Sequence, residues 1–171
     1  MSGAFGLSTP RDLLAKLQRE LGRLRDSPND RDVAINYFVT AEHILDWLIP
    51  GESGRPRRKK IRESEPLLMV VSHLANSAKH HSQLSSHHQS VSSSGQAGGY
   101  FPATYFPPSY FACSHFGGRV LSVILKGKAA HEFGPSISTI ELAERVYSYW
   151  ESHHSEYQSP RLDSGPTSPV K

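Results

Sequence analysis

Polar and titratable residues recur at helical spacing in two stretches of this sequence. In the first, Asn36, Thr40 and His43 stand four and three residues apart, which puts them within about 60° of one another around a helix, with Trp47 continuing the stripe. Glu42 and Asp46 form an i,i+4 carboxylate pair beside that stripe, an arrangement that repels itself unless a cation or partner lies near. In the second stretch, His73, Asn76, Lys79 and His80 fall on the polar side of another helix. If the two helices are antiparallel neighbours, these groups meet. One reading makes the meeting place a site, in which Lys79 binds an anion, His43 or His80 serves as acid or base, and Asn76 is a further candidate. The other makes it a buried polar network that fixes helix register, with Lys79 neutralising Glu42 or Asp46.

A separate candidate is electrostatic. The run from Arg55 to Arg62 holds six of the 19 basic residues, and the other thirteen face 16 acids, so the net charge of +3 is local rather than general. Arg57, Arg58, Lys59 and Lys60 are accordingly the nucleic-acid candidates, since each neutralised phosphate adds salt-dependent affinity. The alternative is a solvated loop between helices, because no aromatic residue is interleaved there for base stacking. The histidine pairs His80-His81, His87-His88 and His153-His154 bring imidazoles. No cysteine or carboxylate completes a fixed set with them, so neither a specific metal site nor a cofactor is expected. Cys113 is the only cysteine, which excludes an internal disulfide and suits a reducing compartment. The first residues lack a basic leader with an apolar core, and no segment approaches the run of about 20 apolar residues that a membrane helix needs. A cytoplasmic chain without membrane contact is the expectation.

Four helices must position these groups. Thr9 caps the first, Pro10 suits its first position, and Leu13, Leu17, Leu21 and Leu24 carry its apolar stripe, giving a helix over 10–26. Asn29 or Asp30 caps a second over 30–49, the most apolar of the set, ended by Pro50 and Gly51. A third is predicted over 65–82 and a last over 138–153. Between them, 82–99 has no hydrophobic period and reads as a flexible Ser/His/Gly-rich loop. The Tyr-Phe repeats of 100–118, spaced by prolines, read as an extended strap. Arg119 to Leu125 and Ala129 to Phe133 read as a β-hairpin turning at Lys126-Gly127-Lys128. A single domain therefore spans 10–153, and 155–171 reads as a disordered tail.

The segments Ala34-Ile-Asn-Tyr-Phe-Val-Thr-Ala41, Asp46-Trp47 and Asn76-Ser-Ala-Lys79-His80, with the closing helix Val146 to Trp150, resemble a family of uncharacterised bacterial helical proteins. Those proteins share an A-I-N-F-x-V-T-A-x-H-x-x-D-W helix and an A-N-x-x-K-H helix, and are similar to the HEPN class of four-helix domains. The likeness covers most of 10–153, apart from 82–118. It implies a mainly α, four-helix HEPN-like bundle with the small β-hairpin before its last helix. It also implies a module acting through RNA or a protein partner, in bacterial stress or phage defence, and leaves a dimer open. HEPN domains that cut RNA carry an arginine followed four to six residues later by histidine. His80 matches the histidine, but Ser72 stands where relatives hold an arginine, and Lys79 is the only nearby cation. The resemblance thus implies a non-catalytic module first. A ribonuclease using His80 and Lys79 with help from His43 is the alternative, and a purely structural or interaction protein is a third reading.

Overall fold

The computed structural model describes residues 6–77, 90–97 and 120–158. Within them the protein is mainly helical with one small antiparallel sheet, in the order α1 (Pro10–Asp26), α2 (Arg31–Leu48), α3 (Arg55–Ser64), α4 (Pro66–Ser77), β1 (Val91–Ala97), β2 (Val120–Leu125), α5 (Gly127–Phe133), β3 (Ser136–Ser138) and α6 (Thr139–Gln158). The α1 start is a capping box: Thr9 Oγ1 accepts from the Asp12 backbone N–H, and the Asp12 carboxylate accepts from the Thr9 backbone N–H. Asp30 caps α2 through the backbone N–H groups of Asp32 and Val33. Between the two helices, Asn29 Oδ1 accepts from the Leu121 backbone N–H at 3.0 Å, tying the turn to β2.

The apolar stripes meet in a single core. Leu17 and Leu24 of α1, Tyr37, Ala41, Ile44 and Leu45 of α2, Val70 and Val71 of α4, and Leu142, Val146 and Trp150 of α6 are all buried there. Helix α2 is central, packing against α1, α4 and α6. Tyr37, fully enclosed, donates its hydroxyl to the Ala143 carbonyl at 2.6 Å and so fixes α2 against α6. In β2 the buried residues alternate as Leu121, Val123 and Leu125, the period of a strand with one face on the core.

Four sequence expectations change. The basic stretch is not a loop but helix α3: Arg and Lys are good helix formers, Pro56 falls in the first turn, and Lys59 and Glu63 form an i,i+4 pair. Part of the 82–99 segment is ordered as β1, which pairs antiparallel with β2 from Val91 opposite Leu125 to Ala97 opposite Val120. Backbone pairing needs no hydrophobic period, so composition is silent about it. The stretch 129–133 belongs to helix α5, not to a second hairpin strand; β3 takes that place beside β2. Ala129, Ala130 and Glu132 favour helix, and Ala129 is buried against the core. Finally, α6 continues through 155–158, with Tyr149 and Tyr157 sharing a hydroxyl hydrogen bond of 2.6 Å. The end of the third helix beyond Ser77, the 100–118 strap and the rest of the tail lie outside the described residues.

Among the described residues no helix is long and apolar enough to cross a membrane.

Candidate functional site

Two helices with complementary spacing build the site. Glu42 and Asp46 sit one turn apart on α2, and Arg58 and Arg62 sit one turn apart on α3. Arg62 Nε lies 2.8 Å from Glu42 Oε1, and its Nη2 donates to Asp46 Oδ1 at 3.0 Å. Arg58 Nε lies 3.0 Å from that same Asp46 oxygen. Arg58 Nη1 also donates to the carbonyls of Ile49, at 2.5 Å, and Gly51, at 2.8 Å. It thereby satisfies acceptors at the end of α2, where a helix has no partners of its own and where its dipole favours a cation. Gly54 permits the approach: a Cβ there would sit 2.7 Å from Ile49 Cγ2 and 2.8 Å from the Ile49 carbonyl oxygen.

Helix α4 adds a third row. Ser72 Oγ donates to Glu42 Oε1 at 3.3 Å, and Asn76 Nδ2 donates to the Ser72 carbonyl at 2.8 Å. That arrangement spends the amide N–H₂ of Asn76 and leaves its Oδ1 as an acceptor. His43 Nδ1 lies 2.6 Å from the Val39 carbonyl oxygen. A carbonyl can only accept, so Nδ1 carries a proton, and whenever the ring is neutral Nε2 is its acceptor nitrogen.

These groups line an open cleft of about 750 Å³, closed on its far side by Ser90 and residues 126–129 at the start of α5. Among the described residues six cations (Arg55, Arg58, Lys59, Arg62, Lys126 and Lys128) line it with three carboxylates, Glu42, Asp46 and Glu63. The carboxylates are engaged by Arg58, Arg62 and Lys59. Lys126 and Lys128 are exposed and have no ion-pair partner among the described residues. Among the described lining residues cations therefore outnumber carboxylates by three: Arg55, which lies 3.9 Å from Glu52 outside the lining, and the two lysines Lys126 and Lys128.

Of the sequence candidates, His43 and Asn76 come together in this cleft, and Arg58 and Lys59 join them. Arg57 and Lys60 sit on α3 away from the lining, while Lys79 and His80 lie outside the described residues. The helical stripe is divided: Asn36 is exposed, and Thr40 is buried beside α1, accepting from Lys16 Nζ at 2.5 Å. Lys16 also pairs with Glu20. Among the described residues, the cations beside Glu42 and Asp46 are Arg62 and Arg58. Sequence reasoning did not assign them that role, although their i,i+4 spacing mirrors that of the carboxylates. Lys126 and Lys128 escaped it too, because they were placed in a hairpin turn. Among the described residues no three His, Cys, Asp or Glu side chains gather as metal ligands. Set beside protein families, curated proteins and solved structures, the chain matches none of them.

Proposed function

We propose that this protein is a non-catalytic helical module of the HEPN-like four-helix class, and that it binds the phosphate backbone of RNA in the cleft between α3 and the start of α5. The observation that carries the reading is the excess of cations among the described residues of the cleft, where Lys126 and Lys128 are exposed and have no ion-pair partner among those residues. A polyanion releases counterions on meeting such cations, and the cleft walls concentrate the field. The motif resemblance points the same way and suggests the setting, bacterial stress or phage defence in the cytoplasm. Arg58 and Arg62 support binding indirectly: held by carboxylates and helix-end carbonyls, they shape the cleft rather than contact ligand.

The test is the salt dependence of binding to a labelled single-stranded RNA. Lys126→Gln/Lys128→Gln should weaken affinity at low salt and flatten the slope of log affinity against log salt by about 1.4, two phosphate contacts at about 0.7 each. An unchanged slope, or no RNA binding by the parent at low salt, removes the proposal. Intact RNA after incubation is the expected accompaniment; cleavage by the parent would favour the ribonuclease alternative.

A further inference from the structure

The neutral groups of the cleft bear on which nucleic acid is bound, and the step rests on the RNA-binding reading above. A phosphate is an acceptor-only group, met by cations and N–H donors. Two of the neutral groups offer the opposite chemistry. His43 Nδ1 is committed to the Val39 carbonyl at 2.6 Å, which in the neutral imidazole leaves Nε2 as an acceptor. Asn76 Nδ2 is committed to Ser72, at 2.8 Å to its carbonyl and 3.3 Å to its hydroxyl, which leaves Oδ1 as an acceptor. Both residues line the cleft and are only half-buried, so a ligand can reach them. A bare polyanion would find nothing to do with these acceptors and would be repelled by their lone pairs. The ligand that fits the whole cleft carries anionic groups for the cations and hydroxyl donors for these acceptors.

We infer that His43 Nε2 accepts a hydrogen bond from a ribose 2′-hydroxyl, with Asn76 Oδ1 as the second acceptor, and that this contact makes the cleft select RNA over DNA. The 2′-hydroxyl is the group by which a protein distinguishes the two at a given site. His43 is here a specificity residue, with no bond made or broken.

The experiment measures affinity for three single strands of one uridine-containing sequence: RNA, DNA carrying deoxyuridine, and 2′-fluoro RNA, which lacks the hydroxyl donor. The parent should prefer RNA over both others by about five- to tenfold, the worth of one hydrogen bond. His43→Phe keeps a planar ring without the acceptor. It should bring the RNA-to-DNA affinity ratio down to about one, a ratio in which any effect of the substitution common to both strands cancels. Equal affinity of the parent for all three strands overturns the inference while leaving the cationic cleft in place, and this comparison needs no variant to fold. An RNA preference that survives in a folded His43→Phe protein also overturns it. If no strand binds at low salt, the RNA-binding reading falls with it.

Discussion

Arg62 is the residue on which the architecture of the cleft depends most, and Arg62→Gln gives a graded prediction. Exposed ion pairs contribute about 0–1 kcal/mol, whereas removing one partner of a fully buried pair costs about 3–5 kcal/mol. The Arg62 and Glu42 side chains are 21% and 13% exposed, and Asp46 is 41% exposed, so this network lies between those limits. After the substitution Glu42 keeps the Ser72 hydroxyl and Asp46 keeps Arg58. The expected cost is therefore about 2 kcal/mol, a thermal midpoint lower by about 4–8 °C for a chain of this length. Urea unfolding of the parent, Arg62→Gln, Glu42→Gln and the double variant should give a coupling of about 1–2 kcal/mol, because removing Arg62 harms less once Glu42 is already neutral. A single variant within about 0.5 kcal/mol of the parent, the range of neutral surface changes, would refute the reasoning. So would additive single changes.

Three further outcomes follow from the packing. Gly54→Ala should cost about 1–3 kcal/mol by overpacking against Ile49 and should move Arg58 off its carbonyls; a variant as stable in urea as the parent would show that α3 can retreat freely. Trp150→Ala should cost about 3–5 kcal/mol, as large aromatic truncations in cores do, and more than Trp47→Ala, since Trp47 is only partly buried; equal costs in urea would contradict the assigned helix faces. Burial, reinforced by nearby Glu20, pushes the Tyr37 phenol above its ordinary value of 10.0. The unfolded chain ionises at that value while the fold holds Tyr37 neutral, so stability is full below pH 10.0 and declines above it. Alkaline absorbance titration should lose no native phenolate signal in Tyr37→Phe, and loss of such a signal would contradict its burial.

Much of the fold was legible because periodicity reports burial directly. The leucine stripe of α1, the apolar α2 and the buried face of α6 stand in the core as their spacing predicts. Strand β1 was not legible, since its serines and glycine are held by main-chain bonds to β2 that leave no side-chain pattern. Helix α5 was mistaken for a strand because its seven residues are too few to display a helical period. At the site, His43 and Asn76 were named from their shared polar faces, and Arg58 as a phosphate candidate. The pairing of Arg58 and Arg62 with Glu42 and Asp46 was not legible, because a run of six cations looks solvated until the i,i+4 carboxylates opposite it are brought near in space. Lys126 and Lys128 join the cleft only through the sheet that carries the start of α5 there, a contact far apart in sequence.

RNA seated in the cleft can be observed directly by amide chemical-shift mapping of the isotope-labelled protein during titration with a short single-stranded RNA at low salt. The expected result is a contiguous set of shifts at His43, Arg58, Arg62, Asn76 and residues 126–129, with the exposed α1 cations Arg11 and Arg19 unmoved. Shifts gathered on α1 while the cleft stays silent, or no shifts anywhere, would contradict an RNA-binding cleft.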